Sequence, residues 1–352
     1  MPRIKLTPGR IFFAAITTLV AIQLLVNFER EREMILEIKS EPSGVVCIGR
    51  TLVDLPKRMV ASYGMTYFAG WHIDTKIESE EAFQKRLQER IVNLASQKNE
   101  YGNRSLEFEK DIVGAWNGKI IQFDRESLRS VDNGVVSFED IVKIEGYLNS
   151  GGISFDITAG VNHERDLLKL EHLISRVRAR EENEVPTESG FCFDRGIIVG
   201  NENPSMSEGI TVFAGFPNSN DVAVVIDSTA GTRAPDTLLQ RIAASTIRKE
   251  YPSSFKNLRI GARKISEHIG EEVLTRVTED DGRSNHNFVW ESIPEKKDVY
   301  RPQITMELST GHNNVEAINK TPFTDREALA LWDRITTTLR NRPFVSAAKP
   351  VN

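Results

Sequence analysis

The chain has 352 residues, 39% hydrophobic and 27% charged, with two cysteines and a formal net charge of −5. A chain this long buries roughly three quarters of its unfolded surface and needs neither metal nor disulfide to fold; it suits two ordinary domains or one large one. The composition excludes disordered, collagenous and polytopic membrane classes, a disulfide-dense scaffold and four-cysteine zinc sites, and the acidic balance argues against a general nucleic-acid binder.

In chain order, Ile11–Phe28 comes first, a run without a charge, preceded by Arg3, Lys5 and Arg10 and followed by Glu29-Arg30-Glu31-Arg32-Glu33. As a helix it spans about 27 Å, close to the hydrocarbon thickness of a bilayer. No small-x-small cleavage site follows it, which favours an uncleaved anchor over a cleaved signal or a buried helix. Arg30 and Arg32 weaken the charge bias, but the expected orientation puts the N-terminus in the cytoplasm and the body outside, in a bacterium the periplasm. Cys47–Pro56 then reads as a strand stopped by proline, and Gly70–Ile77 as another. Ser79–Gln97 predicts a helix, with Ser79 as cap and Phe83, Leu87, Ile91 and Leu94 on one face. Strands are predicted at Phe108–Ala115, Lys119–Asp124, Ile141–Leu148 and Ile153–Ala159, and a helix over His163–Ala179. The polar stretch Glu181–Ser189 reads as a linker.

The second half repeats the plan. Gly190–Val199 is a cysteine-led strand, followed by strands at Gly209–Phe216 and Val222–Asp227 and a helix over Pro235–Lys249. Strands at Leu258–Ala262, Glu271–Thr278, Asn287–Ser292 and Gln303–Leu308 come next, then a helix over Thr324–Arg340, opened by a Thr324/Glu327 capping box. The cysteines lie 145 positions apart and the two pairs of helices about 155 and 161. The expected fold class is α+β: two similar mixed domains, each an antiparallel-rich sheet with two main helices, behind one N-terminal transmembrane helix. The expected boundaries are a cytoplasmic N-terminus 1–10, transmembrane segment 11–28, juxtamembrane segment 29–45, N-terminal domain 46–180, linker 181–189, C-terminal domain 190–345 and tail 346–352.

No motif supplies a catalyst. Gly152-Ile153-Ser154-Phe155-Asp156 ends in aspartate where a nucleophile elbow needs glycine for close helix packing. His163-Glu164 lacks a second histidine one turn on; His172 is too far along the helix to share a metal. Asn285-His286-Asn287 and Glu279-Asp280-Asp281-Gly282 read as turns. Ser228-Thr229-Ala230-Gly231-Thr232 reads as a capped loop before a helix. The expectation is a non-enzyme with no cofactor and no metal. Cys47 and Cys192 either pair, which would stabilise by up to about 5 kcal/mol through loop closure, or pack as two buried thiols.

The cysteine segments carry a family resemblance. Cys47-Ile48-Gly49-Arg50-Thr51-Leu52-Val53-Asp54-Leu55-Pro56 resembles the opening of the periplasmic immunity proteins that neutralise type VI secreted phospholipase effectors. Glu188-Ser189-Gly190-Phe191-Cys192-Phe193-Asp194-Arg195-Gly196-Ile197 resembles the start of that family's C-terminal domain. The resemblance runs from residue 47 to about 340. It implies two α+β domains that close on a lipase like a pincer and block its lid, with the effector as partner; the inner membrane is expected as a second partner through the N-terminal helix. An uncleaved anchor would depart from a cleaved signal. Trp71, Trp116, Trp290 and Phe216 are candidate contact anchors, with core packing as the competing reading. A structural subunit of an envelope complex is the alternative from another class.

Overall fold

A helix, α1 (Pro8–Ser40), opens the chain and includes the span Ile11–Phe28. It continues through the charged stretch, and its last turns dock on the body. Ile38 is buried there, Glu31 pairs with Arg326, and Arg334 donates to the carbonyls of Ile38 and Glu41. The expected juxtamembrane segment is thus helical to Ser40 and packed. The computed structural model describes residues 8–200, 207–217, 219–231, 235–295, 298–314, 317–318 and 321–343, with backbone alone for 8–21, 219–220 and 312–318; the expected tail lies outside them. Among the described residues no helix is long and apolar enough to cross a membrane. The transmembrane expectation therefore gains no support: the side chains of 8–21 are outside the description, and the helix from Glu29 onward is rich in charge.

Each cysteine-led strand proves to be a hairpin. Gly49 adopts φ +57°, a left-handed conformation that costs glycine little, so the chain reverses at Gly49-Arg50 and β1 (Ser43–Ile48) pairs with β2 (Thr51–Pro56). The periodicity predicts no strand over Val60–Phe68, yet this segment is β3, turning into β4 (Trp71–Ile77). Next comes α2 (Glu80–Ser96), where the Ser79 hydroxyl accepts the Ala82 N–H and Phe83, Leu87, Ile91 and Leu94 are all buried. Each of those side chains contributes about 2 kcal/mol of apolar burial, so Leu87→Ala would loosen the helix from the sheet. There follow β5 (Leu106–Ile112), β6 (Asn117–Asp132), β7 (Val135–Ser150), β8 (Ile153–Thr158), α3 (Asp166–Ile174) and β9 (Val177–Ala179). The β6–β7 hairpin extends far beyond its predicted strands because Asn133 and Gly134 both take positive φ, the two-residue turn that matches strand twist. The predicted helix to Ala179 ends early, and its tail is strand β9.

In the second half, β10 (Gly190–Phe193) and β11 (Gly196–Val199) form the other cysteine hairpin. Then come β12 (Glu208–Phe216), β13 (Ser219–Ala230), α4 (Leu238–Ala244) and α5 (Thr246–Glu250). The predicted helix over Pro235–Lys249 breaks because Ser245 leaves helical geometry and caps α5 through Arg248 N–H. After them lie β14 (Phe255–Ile265), β15 (His268–Thr278), β16 (Ser284–Ser292), β17 (Gln303–Thr310), β18 (His312–Asn314), β19 (Ala317–Ile318), α6 (Asp325–Thr336) and β20 (Arg340–Asn341). The Thr324/Glu327 capping box opens α6.

Instead of two separate sheets, the long strands form one twelve-stranded ladder, in the order β14-β15-β16-β17-β13-β12-β3-β4-β8-β7-β6-β5. From its centre the order runs outward in the same topological sequence on both sides: β3, β4, β8, β7, β6, β5 against β12, β13, β17, β16, β15, β14. The central pair β3–β12 is antiparallel, as a two-fold relation between equivalent strands requires. Each hairpin gains its third strand from the opposite half, giving β1-β2-β20 and β10-β11-β9. One face of the ladder buries the main core, which includes Phe155, Phe288, Trp290 and Leu308 with α3, α6 and the hairpin sheets. On the other face α2 covers Ile121, Phe123 and Tyr147.

Candidate interaction surface

The two sides of the ladder join weakly at one place. β3 pairs with β12 over nearly its whole length but with β4 only at Tyr67↔His72 and Phe68↔Trp71. Beyond the Ala69-Gly70 turn the two strands diverge, so the physical seam between the lobes lies inside the β3–β4 hairpin. A cleft of about 720 Å³ opens there, lined by β1, β3, Ile77, the segment Glu182–Val185 and the turn Asp194-Arg195.

The floor of this cleft is stiff. Cys47 and Cys192 are joined by a disulfide with Cα atoms 5.9 Å apart, and Gly49 and Cys192 exchange backbone hydrogen bonds at 3.0 and 2.8 Å. The bond links positions that correspond in the two hairpins. Tyr63 donates its hydroxyl proton to the Cys47 carbonyl at 2.9 Å and accepts from Arg180 at 2.8 Å. Burial pushes the Tyr63 phenol up. Arg180, 3% exposed, also donates to the carbonyls of Glu181, Glu182, Glu184, Phe193 and Gly196. The expected linker 181–189 is therefore fastened down. At the end of the chain Arg342 does the equivalent work, donating to the carbonyls of Pro186, Glu188 and Gly190. The backbone N–H groups of Arg180 and Arg342 bond the carbonyls of the hairpin-turn residues Arg195 and Arg50. Arg50 in turn makes a buried ion pair with Glu208 at 2.5 Å.

The opposite face of the ladder is bare in its middle. α2 packs at one flank, and at the other α4 lies over β15, with Leu239 N–H donating to Glu271 and Arg241 to Glu291. No described element lies over β3, β12 and β13 between them. Met65 and Phe213 are 65% and 47% exposed there. Asp156 on β8 and Glu307 on β17 point onto this same face.

The candidate anchors fall elsewhere. Trp71, Trp116 and Trp290 are buried, and the last two donate their indole N–H to the carbonyls of Val177 and Arg263. They serve the core; Phe216 alone is half-buried, under the Arg58 guanidinium. His286, expected as a solvated turn residue, lies on β16 with no exposure, its ring 2.9 Å from the Thr310 hydroxyl and 3.1 Å from Asp325. Burial holds its pKa below the usual range, and no substrate could reach so enclosed a ring. Sequence reasoning missed Arg180 and Arg342 because a lone arginine beside a strand looks like a surface charge.

Two family models match the chain, one described as the Tle cognate immunity protein 4 N-terminal domain over residues 44–188, the other as the C-terminal domain over 184–344. The chain belongs to this immunity protein family. Solved structures share the fold. The apo immunity protein TplEi of the type VI secretion system from Pseudomonas aeruginosa superposes with a TM-score of 0.71 at 22% identity, over 88% of this chain and all of that one. The Tle4–Tli4 complex gives 0.69 at 21% identity over 86% and 98%, and TplEi with an "L" peptide gives 0.65 at 21% over 87% and 99%. A search of curated proteins returned no match. For this immunity protein the functional geometry is a surface, built by two lobes on a common ladder.

Proposed function

We infer that this chain is an immunity protein that binds a phospholipase effector of type VI secretion and inhibits it without chemistry of its own. The observation that carries this is the pair of family-model matches, which together span residues 44–344 and both lobes. The two-lobed body suits a grip that keeps a lipase from opening its lid. Such a grip needs a stiff inhibitor and a large interface, about 1,600 Å² or more. The cross-lobe disulfide and the buried Arg180 supply the stiffness.

The protein works in the periplasm, held to the inner membrane by Ile11–Phe28. Support comes from the uncharged run itself and from a disulfide, which persists in oxidising compartments. The docked end of α1 would then hold the body close to the phospholipids under attack. The deciding experiment co-expresses the chain with the product of the neighbouring gene, as candidate effector, exported to the periplasm. Survival of the cells and loss of phospholipase activity in the purified mixture are expected. Unchanged toxicity, with no complex on gel filtration, would remove the proposal.

A further inference from the structure

The bare face of the ladder carries a carboxylate for which the described chain supplies no cation. Counting outward from the central β3–β12 pair, the third strand on each side points an acid onto that face: Asp156 on β8 and Glu307 on β17. Asp156 is fully answered, by Lys76 Nζ at 2.5 Å and by the Arg86 guanidinium at 2.8 and 3.0 Å. Glu307 stands in the cross-strand row Phe213–Val225–Glu307–Val289. Its acidic neighbours are already occupied, Glu291 by Arg241 and Asp227 by the hydroxyls of Thr211 and Thr229. Partial burial, with the like charges of Glu291 and Asp227, pushes the Glu307 carboxyl up. A half-buried carboxylate without a partner is unfavourable, and here only Val225 separates it along the row from exposed Phe213 on the same sheet face.

We propose that Glu307 is the seat of a basic side chain of the effector protein, which docks on the bare face between α2 and α4 and packs apolar residues against Phe213 and Met65. The occupant follows from charge complementarity. The first half shows that an acid at this place in the ladder takes a lysine and an arginine, and in the second half the partner provides them. Because it rests on the function proposed above, the test must separate the two.

Binding of the full-length chain to the purified effector is measured by calorimetry at low and moderate salt, alongside thermal unfolding of each variant. Glu307→Lys is expected to weaken binding about thirtyfold or more, since it sets like charges against each other, and Glu307→Gln about tenfold. Neither should lower the melting temperature, because no internal partner is lost. Phe213→Ser provides a second variant and should weaken binding on its own. A lysine-to-glutamate change on the effector that restores Glu307→Lys binding would fix the pairing. If wild type binds and Glu307→Lys binds within twofold of it, the docking assignment is wrong and the function stands. If Glu307→Lys instead dissociates a dimer of this chain and leaves effector affinity unchanged, the face joins two copies and the assignment is again wrong. Failure of the wild type to bind would end both proposals.

Discussion

The two halves are built on one plan and finished differently. Both send their strands outward from the β3–β12 pair in the same order, both open with a cysteine hairpin, and both end on a buried arginine whose N–H meets the other half's hairpin turn. The differences lie at the seam and on the faces. β12 pairs with β13 along its length, whereas β3 parts from β4 after two residue pairs. The turn residue Arg50 is sealed in an ion pair with Glu208, while its counterpart Arg195 reaches the exposed Glu182. One half has an unbroken α2 where the other has α4 and α5. The frame has kept its symmetry in the order of the strands and in the closing arginines. It has lost it at the seam, at one hairpin turn and in the helices laid on the outer face, where the shared core constrains the sequence less.

Four measurements would break or sharpen this contrast. The largest effect belongs to the bond that ties the halves together. Replacing Cys47 and Cys192 by alanine should lower unfolding free energy by about 5 kcal/mol, as the loop-closure model gives for this separation, read by urea denaturation. A loss below about 1 kcal/mol would show that the halves are held by the ladder alone. Next come the paired arginines. Arg180→Ala strands a cluster of buried carbonyls and should cost about 4 kcal/mol; Arg342→Ala, with fewer acceptors, should cost about half as much. Equal losses would mean that the symmetry extends to the energetics.

The third measurement concerns acid. His268 and His286, both in the second half, are buried, and burial depresses both pKa values. Asp325, Lys256 and Arg276 face or adjoin His286. Above about pH 6.5 both rings are neutral, folded or unfolded, and make no difference. Below it the unfolded chain takes up protons first, so stability falls by about 1.4 kcal/mol per pH unit for each ring until the folded ring protonates. Hydrogen exchange at pH 7 and pH 5 should show the second half loosening more than the first. Uniform protection at pH 5 would contradict this. The smallest effect is local. Gly134→Ala, at φ +81°, should cost about 1 kcal/mol and fray only the tip of the β6–β7 hairpin, visible as exchange confined to that arm.

Much of the order of elements was legible in the sequence. The α2 and α6 helices announced themselves through caps and apolar steps, and the repeat of the plan through the spacing of Cys47 and Cys192. What escaped has a common cause: it depends on partners far away in the chain. β3 shows weak alternation because it lies at the seam, with Val60 and Met65 exposed. The hairpin turns at Gly49-Arg50 and Asp194-Arg195 hide inside apolar runs. The Asp132-Asn133-Gly134 turn signal stands in the sequence, but the arms that flank it are exposed and lack the buried alternation that marks a strand, with Val131, Val135 and Phe138 facing solvent. Of the surface, the sequence told nothing: the aromatic candidates went to the core, and Glu307 gains meaning only once Asp156 is seen in the matching place.

The exchange of closing strands has a consequence for how the molecule comes into being. The hairpin nearest the start of the chain is finished by Arg340–Asn341, near its far end, and the second hairpin by Val177–Ala179. The first lobe can therefore not mature while the second is still being made, whereas the second hairpin already finds its third strand upstream of it in the chain. A ribosome must deliver nearly the entire polypeptide before the opening segment meets its last neighbour, and a product stopped short of Arg340 leaves the first hairpin without an edge.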